Sequence, residues 1–490
     1  MDSDRYKKLV ILHSNDLHGD FLEEDIDGML VGGIARLSGY IQQVRAAEPN
    51  VVYCVPGDML QGSLIDTDYR GLSTIELMNL LGPDVASLGN HEMDYGLTHL
   101  LFLERCARFP IISANLYITN PLTRLFKPHH FIKKDGMRIM FIGIITEEAL
   151  SGIKSDSLIS TLIDVKEAAA EVGRICNTYR RTDVDLTVLL THIGFEEDKK
   201  LAALLDPDWG VDIIIGAHTH TYLEKPEIVN DILIVQAGRG SDQIGRFDIV
   251  IDTERNAIES YEWGIVPITE ETCETDKAME NLVETYKEQT DKKYCRMLFR
   301  TPRAFTHPSR YQETELGNLF ADSYRTCMGA DVAMYGSGSI RKEKMPPVVT
   351  VGELLEVVPY HGKVYMVTVT GGQFMTMWRH ILREEAFEGD HTEFFQFSKG
   401  LRIVWSRGRQ EFERFAFKGK PIAYDKELTL AIQDFHRDNF ETSFGLPYEL
   451  ILENRKEVVV ATDEQEVLIE YFTANQPEMS GVDGRLTILA

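Results

Sequence analysis

Positive charge is scarce in this chain of 490 residues: 51 Lys and Arg stand against 77 Asp and Glu, for a formal net charge of −26. That balance argues against wrapping nucleic acid, because non-specific affinity for nucleic acid comes mainly from Lys and Arg neutralising phosphates. It would also repel a small anionic substrate unless something locally positive sat at the site, a role metal ions would fill. Long apolar runs are missing too. None approaches the roughly 20 residues that span a bilayer, and Met137 to Ile145 is among the longest. The six cysteines (Cys54, Cys106, Cys176, Cys273, Cys295 and Cys327) are scattered, with no CxxC pair. This excludes a disulfide framework or a thiolate zinc site and fits a reducing compartment. There is no Walker A sequence, no HExxH, no GxSxG elbow and no dinucleotide fingerprint.

What remains is a globular composition, 43% hydrophobic and 26% charged, on a chain long enough for two domains. The start, MDSDRYKKLVILHSND, enters a strand-like run at once and leaves no room for a leader. The expected compartment is therefore cytoplasmic, or periplasmic or extracellular if a signal peptide was removed. The first half alternates short β-branched runs with amphipathic segments, an α/β pattern. Strands are expected at Leu9 to Leu12, Val51 to Val55, Val85 to Leu88, Arg138 to Ile144, Leu186 to Leu190, Asp212 to Ile215, Ile232 to Val235 and Phe247 to Ile251. Several are continuously apolar, as strands buried on both faces are. Helices are expected at Val165 to Tyr179 and at Ser73 to Leu81, where Ser73 and Glu76 have capping-box spacing.

From Glu270 to Tyr294 the chain is charged and helical in pattern, which reads as a connecting helix between domains. Beyond it, a helix from Glu315, a strand at Val332, a strand and helix over Val364 to Arg383, and strands near Phe394 to Trp405 and Leu428 to Ile432 make a second mixed domain. The expected division is residues 1–269, a linker over 270–298, and residues 299–490.

Chemistry concentrates where the first-half strands end. The strand at Leu9 runs into His13-Ser14-Asn15-Asp16-Leu17-His18, and the one at Val51 into Pro56-Gly57-Asp58. Val85 leads to Gly89-Asn90-His91-Glu92 with Asp94 after it, Leu186 to Thr191-His192, and Asp212 to His218-Thr219-His220. In α/β sheets the carboxyl ends of strands form the ligand crevice. These ends supply hard oxygen and imidazole donors without thiolates, which suits Zn²⁺, Mn²⁺ or Fe²⁺. Seven donors exceed one open site but match two ions sharing a carboxylate, and paired ions about 3.5–4 Å apart activate water for in-line attack on phosphoesters. Taken singly, each residue has a plainer reading: Asp16 an Asx turn, His192 or His218 a satisfied core histidine. His13, Asp25 and His99 read as surface or packing residues.

The motifs SNDLHGDF, PGDMLQGS, GNHEMDYG, THIGFEED and GAHTHT, in that order, resemble those of the calcineurin-like metallophosphoesterases. Specifically, they resemble the 5′-nucleotidase, 2′,3′-cyclic phosphodiesterase and UDP-sugar hydrolase family. The resemblance implies an N-terminal catalytic domain of stacked mixed sheets, a linker helix and a C-terminal substrate-binding domain. It implies two divalent cations (Zn²⁺, Mn²⁺ or Fe²⁺, with Mg²⁺ less favoured), one on Asp16, His18 and His220 and one on Asn90, His192 and His218. Asp58 would bridge them, and His91 and Asp94 would form a catalytic dyad.

In the second half, the segment from Ser309 to Leu319 resembles the one carrying a substrate arginine, here Arg310. Gly336-Ser337-Gly338-Ser339-Ile340-Arg341 resembles the family's NGGGIR loop, with Arg341 as a second arginine. Pro359-Tyr360 stands where Pro-Phe stacks on the base. The family's Gly-Gly-Asp-Gly turn is missing; Asp434 to Gly445 stands there, so Phe440 or Phe444 would supply the second ring. The expected partner is a small nucleotide or related phosphoester, with no nucleic-acid polymer and no membrane span. The competing readings are a phosphatase for non-nucleotide esters and a non-catalytic nucleotide-binding protein.

Overall fold

The computed structural model describes residues 5–26, 28–119, 122–146, 165–387, 394–477 and 481–489. The chain divides into two compact units, Met1–Thr290 and Asp291–Ala490.

The first unit is built on two six-stranded sheets. One runs in the order Ala257–Pro267, Gln243–Asp252, Tyr6–His13, Val51–Val55, Val85–Ser87, Ile111–Ile112. The other runs Glu227–Val229, Ile232–Val235, Ile213–Ile215, Leu186–His192, Met137–Ile145, His129–Lys134. The second sheet has a parallel centre and two antiparallel edges, and the first is parallel from Tyr6–His13 to Ile111–Ile112 and antiparallel on its other side.

The continuous apolar runs have the expected cause. Leu9 and Ile11 of one strand point into the space between the sheets, where they meet residues such as Phe141, Val188 and Ile213. Their neighbours Val10 and Leu12 face the opposite way, onto the helix Ile34–Ala47. On the far side, Ile142, Leu189 and Ile214 pack beneath the helices Val165–Tyr179 and Phe195–Leu204. Helix, sheet, sheet and helix therefore form four layers. The central strands are buried on both faces, and their carboxyl ends emerge at one edge.

One local expectation is corrected. The helix at Ser73 begins one residue earlier, at Leu72, behind left-handed Gly71, and no side chain caps it. Ser73 instead bonds the carbonyl of Ile65, because burial turns its hydroxyl toward the preceding turn. The charged helix Lys277–Tyr294 runs across the division between the two units. Its residues Met279 and Val283 are buried in the core of the first unit.

The second unit holds a five-stranded mixed sheet in the order Phe395–Phe397, Val332–Gly336, Glu427–Gln433, Val364–Thr370, Val458–Ala461. A four-stranded sheet accompanies it: Lys420–Pro421, Glu411–Phe417, Leu401–Ser406, Leu486–Leu489. Glu315–Met328 is a helix capped by Thr314, whose hydroxyl accepts the N–H of Gly317. Gly371–Ile381 starts from a full capping box between Thr370 and Gln373. Among the described residues no helix is long and apolar enough to cross a membrane.

Candidate metal centre

Turning a strand end sharply enough to aim its side chains back over the sheet needs unusual backbone. Asp16, His18, Asp58, His218 and His220 all have positive φ, between 46° and 84°. For residues other than glycine this left-handed conformation is unfavourable, and such residues gather where function holds them in place. Two glycines make the neighbouring approach possible. A Cβ on Gly57 would lie 2.4 Å from the nitrogen of Gly89, and one on Gly89 would lie 2.1 Å from Oδ1 of Asp58. The loops bearing Asp58 and Asn90 thus touch backbone to backbone.

The seven expected donors come together. Ligand atoms of Asp16, His18 and His220 lie within 4.8 Å of one another, as do those of Asp58, His192 and His218. Asp58 reaches both sides: its Oδ2 is 3.2 Å from Nε2 of His192 and 3.7 Å from Nε2 of His18. Nε2 of His18 and Nε2 of His220 are 3.1 Å apart, and Oδ1 of Asn90 is 3.1 Å from Nε2 of His192.

The remaining ring nitrogens fix the tautomers. Nδ1 of His192 donates to the carbonyl of Pro56 at 2.9 Å, and Nδ1 of His18 faces the carbonyl of Leu60 at 3.3 Å. Each Nε2 is then left with its lone pair directed inward, the second-layer arrangement that metal-binding imidazoles need. A pair of converging imidazole nitrogens beside a carboxylate suits a divalent cation better than any mutual hydrogen bond. The donor set therefore fits two ions.

Asp58 is buried, which opposes ionisation, yet His192, His91 and His18 around it hold its carboxyl well below the usual range. Burial pushes Asp16 up to about 7, with His192 opposing and Asp58 adding repulsion.

Three supporting residues escaped the sequence reading. Glu92, 2% exposed, accepts the backbone N–H of Asp58 at 2.9 Å, Met59 at 2.8 Å, Leu60 at 3.3 Å and Gly89 at 2.5 Å. One carboxylate thereby ties two ligand loops together. Asp198 accepts the hydroxyl of Thr191 at 2.6 Å and the amide of Gln236 at 3.1 Å. Gln236 in turn accepts the N–H of Thr221, just past His220. Burial raises the Asp198 carboxyl to about 8. The signal for Glu92 was visible in the run GNHE, but nothing in sequence distinguishes a carboxylate that holds loops from one that holds a cation.

His91 and Asp94 form a pair at the rim. Nδ1 of His91 lies 2.7 Å from Oδ2 of Asp94, and the backbone N–H of His91 donates to Oδ1 of Asp58 at 2.9 Å. The ring of His91 sits edge-on to that of His18, centroids 5.2 Å apart.

In the second unit, Arg310 is exposed, while Arg341 and Tyr360 are half-buried on loops after strand and helix ends. Phe440 and Phe444 require correction as stacking rings. They are 2% and 0% exposed, and Phe444 stacks on Phe395 with centroids 4.8 Å apart while Phe440 packs on Phe444 and Tyr448. The short helix Phe440–Phe444 presents one apolar face to the core, which claims both rings. The aromatic that this segment leaves in solvent is Phe435, 53% exposed.

A profile of the calcineurin-like phosphoesterases matches residues 9–222, and one of the 5′-nucleotidase C-terminal domain matches residues 295–444. A 5′-nucleotidase of Rattus norvegicus is 27% identical, covering 83% of this chain and 77% of the rat protein. A 5′-nucleotidase of Vibrio cholerae is 25% identical over 97% of this chain and 92% of its own. Among solved structures, a 5′-nucleotidase precursor from Thermus thermophilus superposes with a TM-score of 0.84. It covers 99% of both chains at 23% identity, a likeness of fold.

Proposed function

Because the chain belongs to the 5′-nucleotidase family of calcineurin-like phosphoesterases, we propose that its strand-end cluster hydrolyses nucleotide phosphoesters with two divalent cations. In this reading Asp16, His18 and His220 hold one ion, Asn90, His192 and His218 hold the other, and Asp58 is shared. The observation that carries it is the inward convergence of imidazole Nε2 atoms on Asp58, with the Nδ1 atoms of His18 and His192 tied to carbonyls. Bound there, such ions would supply Lewis acidity toward water and positive charge against the phosphoryl oxygens. Zn²⁺, Mn²⁺ and Fe²⁺ suit these nitrogen and oxygen donors.

The chain's own contribution is proton placement. A ring nitrogen of His91 lies within 4.8 Å of ligand atoms of His18 and Asp58, and the Asp94 carboxylate at Nδ1 stabilises the imidazolium. Nε2–H can then donate to a phosphoryl oxygen or to the departing alkoxide. We assign nucleoside recognition to residues 299–490. Arg310 and Arg341 suit phosphate or carboxylate through their planar forks, and Tyr360 with Phe435 offers aromatic faces for a base.

The test is phosphate release from metal-stripped protein reconstituted with Zn²⁺, Mn²⁺ or Mg²⁺. The panel holds AMP, UMP, a 2′,3′-cyclic nucleotide and a UDP-sugar with coupled release, and a sugar phosphate. Metal-dependent turnover of a nucleotide above the sugar phosphate is expected. Turnover of the sugar phosphate alone would leave the metal chemistry standing and remove the nucleotide assignment.

A further inference from the structure

Glu464 opens the helix Glu464–Ala474 in the second unit and is only 2% exposed. A carboxyl so deeply placed gives up its hydration, and burial raises this one to about 8. Its Oε2 accepts the Tyr324 hydroxyl at 2.6 Å and Nε2 of Gln433 at 2.7 Å. Gln433 turns its own oxygen to the N–H of Gly336 at 2.9 Å and shares bonds with the Ser339 hydroxyl. Through one side chain Glu464 thus reaches the loop that ends in Arg341.

A second loop is tied more directly. The backbone N–H of Glu464 donates to the carbonyl of Gly362 at 2.8 Å. Its helix neighbours reach the same segment: Asp463 meets Nδ1 of His361 at 2.8 Å, and Nε2 of Gln465 donates to the carbonyl of Val358 at 2.8 Å. Tyr360 lies between those anchors. The fit leaves no slack, because a Cβ on Gly362 would lie 3.2 Å from Oε1 of Glu464 and 2.5 Å from Asp434.

We infer that Glu464 is a positioning residue for substrate recognition: it sets the register of the loops carrying Arg341 and Tyr360 against each other. The inference rests on the reading that those two residues hold the nucleotide. Hydrophobic packing does not explain the arrangement. The core of this part of the unit is aromatic and aliphatic, and an apolar side chain would fill the same space and keep the backbone bond to Gly362 but leave Gln433 undirected. The carboxyl supplies directed acceptors that lead through Gln433 to the loop of Arg341, while the backbone N–H of the same residue holds the loop of Tyr360.

The experiment compares Glu464→Ala, Glu464→Gln and wild type on AMP and on p-nitrophenyl phosphate, with thermal melting alongside. Glu464→Ala is expected to raise KM for AMP about tenfold, hold kcat within about twofold, and leave p-nitrophenyl phosphate turnover unchanged. Glu464→Gln, which keeps an acceptor for Tyr324 and Gln433, is expected to restore KM. An unchanged KM in Glu464→Ala, with wild type still preferring AMP, would overturn the inference alone. Equal loss on both substrates without rescue would reduce Glu464 to a structural role and overturn it too. A wild type that shows no preference for AMP would remove the nucleotide reading together with the inference. Should Glu464→Ala fail to fold, Gln433→Leu breaks the same chain between Glu464 and Gly336; a raised KM for AMP alone supports the inference and an unchanged KM overturns it.

Discussion

The Glu92 carboxylate and the Asp58 backbone N–H lie 2.9 Å apart, and the same carboxylate also takes the N–H groups of Met59, Leu60 and Gly89. A residue one position past His91 in the chain therefore holds the turn that aims Asp58. Replacing it with glutamine sets an amide donor against backbone donors. We expect Glu92→Gln to destabilise the metal-stripped protein by about 3 kcal/mol, the cost of unsatisfied buried groups, and to weaken cation binding. Urea denaturation and metal analysis read the two effects separately. Unchanged stability would mean that these loops hold themselves.

His91 and Asp58 separate chemistry from cation binding. His91→Ala is expected to lower kcat by about 10²–10³ while both ions stay bound, since His91 stands at the rim. Asp58→Ala is expected to lose cation content. Elemental analysis beside steady-state kinetics makes the distinction, and full activity in His91→Ala would remove its assigned role.

The exposed and buried phenylalanines of one segment predict opposite phenotypes. Phe435→Ala is expected to raise KM for AMP roughly tenfold with little change in melting temperature. Phe444→Ala is expected to destabilise by about 3–5 kcal/mol, as loss of a packed core ring does. If Phe435→Ala left KM untouched, its exposed ring would have no part in recognition.

His436 yields a pH prediction. It is 1% exposed, neither ring nitrogen has a partner, and burial lowers its pKa to about 3. The unfolded chain binds a proton near 6.5 and the folded chain does not. This residue therefore removes stability as pH falls from about 6.5 toward 3, by about 2 kcal/mol at pH 5. Buried acids such as Asp198 and Glu464, raised to about 8, act in the opposite sense, so the difference between variant and wild type is the readable quantity. His436→Leu should flatten the fall in stability between pH 7 and pH 5. Parallel curves would contradict this.

Much of the first unit was legible because its strands are buried on both faces and read as uninterrupted apolar runs ending in donors. The position of His192 at the end of Leu186–His192 needed only that pattern. The Ser73 cap failed because spacing is blind to burial: the same hydroxyl found the Ile65 carbonyl instead. Phe440 and Phe444 misled for a related reason. An aromatic near an expected site looks the same in sequence whether it faces ligand or core, and only the helix Phe440–Phe444 turns both inward. Glu92, Asp198 and Glu464 were missed because their partners are mostly backbone amides or residues distant in the chain.

The left-handed backbone at Asp16, His18, Asp58, His218 and His220 bears on how such a chain would evolve. Each of these side chains holds its backbone in a conformation costing roughly 1 kcal/mol or more, which glycine would adopt freely. Robustness and catalysis therefore pull in opposite directions at the same five codons. A lineage relieved of hydrolysis would gain stability by drifting to glycine there, and the first trace of lost function would be a tougher protein.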